Sequence, residues 1–157
     1  MAATVILARP AAPGFEVYMT RRSGRSAFAA GAFVFPGGAL DPQDFSAQTA
    51  ARTVGLESER VAAQFRARIP DELPSTEATV DPARAAALFA AALRELFEES
   101  GILLARTRSG DAVAVAEILS SDVHDARSAI ASGMLPFATF LERRDWFADA
   151  RALTLFS

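Results

Sequence analysis

Short apolar runs near the start of the chain predict three β-strands. Residues 4–8 form a β-branched, apolar run, and residues 15–20 alternate apolar and polar side chains, which is typical of a half-buried strand. A turn rich in proline and glycine, at 10–14, separates these two runs. Residues 32–35 form a third apolar run, which ends at Pro36-Gly37-Gly38. The pattern therefore predicts an amino-terminal region rich in β-structure.

The spacing of apolar residues over 82–100 predicts a long amphipathic helix. Asp81 is a suitable N-cap, Pro82 suits the first helical position, and Gly101 is a suitable left-handed terminator. The apolar side chains recur at intervals of three and four residues, at Leu88, Phe89, Ala92, Leu93, Leu96 and Phe97. Residues 57–68 have a shorter helical pattern, whose apolar face contains Val61, Ala62 and Phe65.

Beyond the long helix, the pattern is mainly helical. Residues 102–105 resemble a strand or a buried exit from the helix. Three further helices are predicted, over 113–120, 123–132 and 137–150, with Asp122 as a cap and Pro136 as a helix start. The length suits one domain with a sizeable core, so we expect residues 1–157 to form a single domain with a helical carboxy-terminal part at 112–152.

Composition narrows the possible chemistry. The 157 residues are 51% hydrophobic and carry a formal net charge of −3, which excludes a disordered tail and argues against binding a nucleic acid polymer. The 16 basic residues are all arginine, which excludes a P-loop lysine and a Schiff base. Without cysteine, and with His124 as the single histidine, a bound metal would need carboxylate ligands, which suit Mg²⁺ or Mn²⁺.

The sequence gives no sign of a membrane partner. No apolar stretch approaches the length of a membrane span, and no targeting segment is evident. We therefore expect a cytoplasmic protein.

The end of the predicted long helix carries an unusual cluster of carboxylates. Glu95, Glu98 and Glu99 lie within one turn on one side of the helix, close to its carboxyl end, where the helix dipole disfavours anions. A divalent cation would relieve this repulsion, and Arg94 could orient one of the carboxylates. The alternative interpretation is a solvated acidic face of an ordinary amphipathic helix. A second motif, Pro36-Gly37-Gly38 followed by Asp41 and Asp44, favours the functional interpretation.

Together the two motifs resemble the Nudix box, Gly-x5-Glu-x7-Arg-Glu-U-x-Glu-Glu-x-Gly-U, where U is aliphatic. Gly38 would open the box and Asp44 would take the first Glu position. The second half matches at every fixed position, with Arg94, Glu95, Leu96, Glu98, Glu99, Gly101 and Ile102. Two departures stand out: Asp replaces Glu at 44, which suggests a weaker or water-mediated metal contact, and 49 residues separate Asp44 from Arg94 where the pattern has seven.

The split box, together with the run at 21–41, resembles the corresponding part of the Nudix 19-type coenzyme A and acyl-CoA diphosphatases. The resemblance implies an α+β fold, a Nudix α/β/α sandwich with a mixed sheet, plus a helical insertion between the two halves of the box. We expect that insertion, at about 45–80, to form a lobe beside the site rather than part of the sheet. The family sheet also takes strands from after the box helix, which the pattern here does not show. A partner chain, as in a homodimer, or a longer parent protein would then supply them.

The resemblance implies hydrolysis of a small-molecule nucleoside diphosphate derivative. Glu95, Glu98 and Glu99 would be catalytic and would hold Mg²⁺ or Mn²⁺, while Arg94 would orient them. The substrate would contact Gly37, Gly38 and a basic loop containing Arg21, Arg22 and Arg25, unless that loop is simply solvated. Asp41 and Asp44 are further candidates.

Coenzyme A or acyl-CoA is the first candidate substrate. Hydrolysis of ADP-ribose, a nucleotide sugar or a dinucleotide is the alternative within the same enzyme class, because the box contacts only the diphosphate. A catalytically silent Nudix binding module and a plain helical scaffold are the alternatives from other classes.

Overall fold

The computed structural model describes residues 1–21, 31–66 and 80–156. In the amino-terminal part, short strands form three antiparallel pairs: β1 with β6, β2 with β3, and β4 with β5. The predicted strands at 4–8, 15–20 and 32–35 are thus shorter and differently bounded than expected, and Gly37 and Gly38 lie within a strand rather than ending one. The bounds are β1 Ala2–Thr4, β2 Ala8–Pro10, β3 Phe15–Val17, β4 Thr20–Arg21, β5 Phe33–Val34 and β6 Gly37–Ala39.

The segment after β6 begins with a 3-10 helix, Pro42–Phe45, and continues as α1 (Ala47–Ala51), β7 (Thr53–Val54) and α2 (Ser58–Arg66). Helix α2 confirms the helical pattern predicted over 57–68 as far as the described residues reach. The strand β7 was not expected, because the insertion was predicted to stay outside the sheet.

Helix α3 spans Pro82–Ser100, the range that the sequence predicts. The Asp81 side chain accepts a hydrogen bond from the Arg84 backbone amide, and Gly101 ends the helix in the left-handed conformation at φ 75°. These caps are local features, which is why the sequence alone locates both ends.

The carboxy-terminal part contains two strands as well as helices. Its elements are β8 (Ala105–Thr107), α4 (Val115–Ile118), α5 (Ser121–Ala131), α6 (Phe137–Arg143) and β9 (Trp146–Asp149), followed by a 3-10 helix at Ala150–Ala152. Strand β9 is central in a mixed sheet, parallel to β7 and antiparallel to β8. The chain therefore supplies strands after the long helix itself, and these strands need no partner chain.

The predicted helix 137–150 is wrong beyond Arg143. Asp145 adopts φ 54°, a left-handed conformation that an α-helix does not accommodate. Its carboxylate is held by Arg108, with two hydrogen bonds of 2.7 Å, and by Arg52 at 3.2 Å. These contacts from distant segments end the helix and let the chain continue as β9.

Helix α3 is buried on two sides, which places it at the centre of the molecule. One side packs against aromatic residues of the carboxy-terminal part, where Phe97 stacks on Phe140 with ring centroids 5.5 Å apart. The opposite side packs Leu96 against Ala3 and Val5 near β1. The carboxylates at its end are therefore held between the amino-terminal strands and the carboxy-terminal helices. None of the helices in the described ranges is long and apolar enough to cross a membrane.

Candidate active site

Arg94 is the centre of the acidic cluster. Its guanidinium donates to both carboxylate oxygens of Asp44 at 3.0 Å, and its Nη1 donates to Glu95 Oε1 at 2.8 Å and to Glu98 Oε1 at 3.1 Å. The Ala39 carbonyl accepts a further hydrogen bond at 3.3 Å. One buried arginine thus joins the two halves of the split box and orients two of the three glutamates.

Asp44 faces Arg94 rather than open space. Its side chain is only 2% exposed, and besides the paired bonds to Arg94 its Oδ2 accepts from the Asp41 backbone amide at 2.8 Å. Asp41 is the N-cap of the 3-10 helix and accepts from the Gln43 amide at 2.9 Å, which completes a capping box. Both oxygens of the Asp44 carboxylate therefore accept hydrogen bonds within the protein, and the metal contact expected from the sequence stays a prediction.

The two glycines of β6 lie directly against the glutamates. The Gly37 amide donates to Glu99 Oε2 at 3.0 Å, and a Cβ atom at Gly38 would overlap the Glu95 carboxylate. A Cβ at Gly37 would likewise collide with the backbone of Ala3 on β1. These close approaches explain why the Gly-Gly pair is needed here.

Electrostatics within the cluster shift the pKa of two groups. Burial raises the pKa of the Glu98 carboxyl above its ordinary value, although its hydrogen bond to Arg94 opposes the shift. Burial lowers the pKa of Arg94, but the hydrogen bond and charge of Asp44, with Glu98 and Glu95, raise it by more. The guanidinium therefore stays charged, and burial disfavours the ionised form of the Glu98 carboxyl.

The donor chemistry fits a hard divalent cation, since Glu95, Glu98 and Glu99 offer only carboxylate oxygens. Within the described ranges, no three acidic or histidine side chains converge on one point. Each of the three glutamates instead has one oxygen in the contacts above and a second oxygen that accepts no hydrogen bond from the described residues. These second oxygens are the groups that could hold a metal.

The basic loop is only partly described. The Arg21 side chain is exposed and donates from Nε to the Gly31 carbonyl at 3.3 Å. Arg22 and Arg25 lie outside the described residues. Beside the glycine pair lies a cavity of about 480 Å³. Its lining among the described residues contains no charged side chain and consists of Ala2, Ala3, Thr4, Met19, Phe33, Val34, Phe35, Gly37, Gly38 and Ala39.

One residue that contacts this cluster was not predicted from the sequence. Arg127, on α5, donates to the backbone carbonyls of Glu98 at 2.9 Å and Glu99 at 3.0 Å. No local motif marks it, because the contact joins residues far apart in the chain. The sequence does contain one general indication of such a contact. Acidic residues in the last turn of a helix are stabilised by a cation, which can come from a distant part of the chain.

Comparisons with known proteins show which family has this arrangement of residues. The family model described as the NUDT19 Nudix domain matches residues 1–157. The chain belongs to this Nudix family. The acyl-coenzyme A diphosphatase NUDT19 of Gallus gallus is 36% identical over 96 residues, which cover 57% of this chain and 25% of that protein. A Nudix hydrolase crystal structure from Alicyclobacillus acidocaldarius matches with a TM-score of 0.64 and 29% identity, covering 95% of this chain and 56% of that chain.

These matches confirm the Nudix resemblance and the α+β fold class. The chain spans about a quarter of the chicken protein and just over half of the bacterial chain. Nudix hydrolases generally use divalent metal ions, which agrees with the carboxylate donors found here.

Proposed function

We propose that this Nudix domain hydrolyses the diphosphate of coenzyme A or acyl-CoA with the help of Mg²⁺ or Mn²⁺. The observation that carries the proposal is the buried Arg94, which orients Glu95 and Glu98 beside the glycine pair of β6. The similarity to an acyl-CoA diphosphatase supports the choice of substrate.

In this proposal each part of the site has a distinct task. Asp44 fixes Arg94, and Arg94 fixes the two glutamates, so the carboxylates keep their places before any substrate binds. When bound, the metal ion would neutralise negative charge on the diphosphate and lower the pKa of a water molecule. Glu99, held by the Gly37 amide, completes the set of carboxylates on this face of the helix.

The cavity beside Gly37 and Gly38 suits the uncharged part of such a substrate. None of its described lining residues is charged, and Phe33 offers an exposed aromatic ring. An adenine ring or the apolar part of a thioester would find contacts with these residues. Arg21 is paired in register with Phe33, so a cation is available near the cavity for the ribose 3′-phosphate that distinguishes coenzyme A from ADP-ribose.

A substrate panel tests the proposal. Purified protein with Mg²⁺ or with Mn²⁺ is incubated with coenzyme A, acetyl-CoA, 3′-dephospho-CoA, ADP-ribose and a diadenosine polyphosphate, and products are separated by mass. Water attack on one phosphorus of coenzyme A breaks the P–O–P bond, so the expected products are 4′-phosphopantetheine and adenosine 3′,5′-bisphosphate.

The panel also distinguishes the alternatives. We expect coenzyme A to exceed 3′-dephospho-CoA in kcat/KM by about ten- to a hundredfold, the value of one charge-assisted contact. Equal values would contradict the role of Arg21 and its neighbours. Cleavage of ADP-ribose or a dinucleotide alone would assign the protein to the second substrate class, and no cleavage of any member with metal bound would indicate a silent binding module.

A further inference from the structure

Arg127 connects α5 to the catalytic end of α3. Its Nε donates to the Glu98 carbonyl and its Nη2 to the Glu99 carbonyl, at 2.9 and 3.0 Å. The last four carbonyls of an α-helix have no partner within the helix, and here Arg127 satisfies two of them at once. Arg127 thus holds the backbones of two of the three glutamates whose side chains form the acidic cluster.

The chemistry of this contact suits a charged, planar group. The carboxyl end of a helix carries partial negative charge, and three glutamate side chains add to it, so a cation there is stabilising. A guanidinium can span two adjacent carbonyls with parallel N–H groups, which a single ammonium cannot do. Gly101 leaves room for it, since a Cβ at that position would lie 3.3 Å from Arg127 Nη1.

Arg127 binds different atoms of this turn from those that Arg94 binds. Arg94 binds the side chains of Glu95 and Glu98, whereas Arg127 binds the backbone of Glu98 and Glu99. Among the described residues, the Glu99 side chain forms its hydrogen bond with the Gly37 amide and forms none with Arg94. The position of its backbone therefore depends on the last turn of α3 staying helical.

We propose that Arg127 is a positioning residue of this active site: it clamps the last turn of α3 so that Glu98 and Glu99 present their carboxylates to a divalent cation beside β6. The inference rests on the proposed function for its effect on turnover, but its effect on metal binding is measured separately. Arg127 itself does not touch the metal or the substrate.

The test compares Arg127→Gln and Arg127→Lys with Arg143→Gln, an exposed arginine on α6 that does not contact these carbonyls. Mn²⁺ affinity is measured by electron paramagnetic resonance with the metal alone, and folding by circular dichroism. We expect Arg127→Gln to weaken Mn²⁺ binding by about tenfold, as is common for residues that support metal ligands. Arg127→Lys should fall between this variant and the wild type, and Arg143→Gln should match the wild type.

Kinetics on the cleaved substrate then separate positioning from substrate binding. For Arg127→Gln, kcat should fall while KM for the nucleotide changes little. A folded Arg127→Gln protein with wild-type Mn²⁺ affinity and kcat would overturn the inference. Should that variant fail to fold, Arg127→Lys carries the test, and wild-type Mn²⁺ affinity in it would overturn the inference equally.

Failure of the proposed function gives a different result. A wild-type protein that binds Mn²⁺ but cleaves no diphosphate would refute the proposed activity, while the affinities of the Arg127 variants would still decide the positioning role. A wild-type protein that binds no Mn²⁺ would refute both.

Discussion

At the scale of single residues, Arg94 explains how two of the three glutamates are tolerated within one helical turn. The guanidinium pairs with Asp44 on one side and with Glu95 and Glu98 on the other, all at 3.1 Å or less. Removing one partner of a buried ion pair costs about 3–5 kcal/mol, because the remaining charge stays buried. Arg94 therefore offsets part of the negative charge of the cluster, while the carboxylates of Asp44, Glu95, Glu98 and Glu99 still outnumber it.

Glu99 lies outside this network and offers the sharpest test of the site. Glu99 is an exposed residue, and its carboxylate accepts a hydrogen bond from the Gly37 amide. Glu99→Gln keeps an acceptor for that amide but removes the negative charge, so we expect turnover to fall by about a hundredfold while the unfolding free energy changes by less than about 0.5 kcal/mol. Steady-state kinetics and thermal melts with and without Mn²⁺ measure both.

Asp125→Asn is the matched control for Glu99→Gln, since Asp125 is an exposed carboxylate on α5. It should leave turnover unchanged. If the wild type gains no thermal stability from Mn²⁺ and Glu99→Gln hydrolyses substrate normally, the assignment of a metal site here is wrong.

At the scale of elements, α3 owes its position to packing on both sides. Helix α2 from the insertion contributes to one side, where Val61 and Ala62 are fully buried and Phe65 meets Phe89 edge-on with ring centroids 6.2 Å apart. The sequence predicts this apolar face, and the structure shows that it packs against α3.

The packing of α2 predicts a measurable loss of stability. Val61→Ala removes two buried methyl groups and leaves a cavity, so we expect the unfolding free energy to fall by about 2 kcal/mol. Val115→Ala on α4 makes the same chemical change at a residue that is 69% exposed and should have almost no effect. Urea unfolding of both variants measures the difference, and equal effects would show that α2 does not pack as described.

At the scale of the whole molecule, the three-stranded sheet joins distant parts of the chain. Strand β7 comes from the insertion, and β8 and β9 come from after α3. The insertion is thus tied into the sheet as well as into the core, which corrects the expectation of a separate lobe. Removing it would take away an edge strand and the packing of Val61, so its loss should destabilise the fold.

Asp149 at the end of β9 predicts how the stability depends on pH. Its carboxylate is buried and accepts hydrogen bonds from Arg151, at 2.7 and 3.2 Å, and from Arg106. Burial would raise the pKa of Asp149, but these bonds lower it overall. A lowered pKa in the folded state means that the carboxylate stabilises the fold above its unfolded pKa, about 3.9, and that this contribution is lost as the pH falls further.

We therefore expect Asp149→Asn to reduce the unfolding free energy at pH 7 by about 1–2 kcal/mol. The effect is modest because Arg106 and Arg151 are partly exposed and solvent screens their charges. Below pH 4 the wild type should lose stability more steeply than the variant. Urea unfolding at pH 7, 5, 4 and 3 checks this, with Asp125→Asn as control. If the unfolding free energies of wild type and Asp149→Asn changed in parallel with pH, the Asp149 carboxylate would not stabilise the fold in the way described.

Features that depend on neighbouring residues could be predicted from the amino-acid sequence alone. The bounds of α3 follow from the Asp81 cap, the Gly101 terminator and the helical spacing between them. The Nudix resemblance follows from residues at fixed spacing within one helix and one turn, and it brought Arg94, Glu95, Glu98 and Glu99 into the candidate site. Such features need no knowledge of the rest of the fold, because their energetics are local.

Contacts between residues far apart in the chain could be identified only from the folded structure. The pairing of Asp44 with Arg94 and the hold of Arg127 on the end of α3 have no counterpart in local spacing. Strands of two to four residues, such as β7 and β9, are too short for periodicity to reveal them, and Asp145 breaks a helical pattern because Arg52 and Arg108 hold it from elsewhere. The free energy of these contacts comes from burial and hydrogen bonding between segments, and it overrides local preference once the chain is folded.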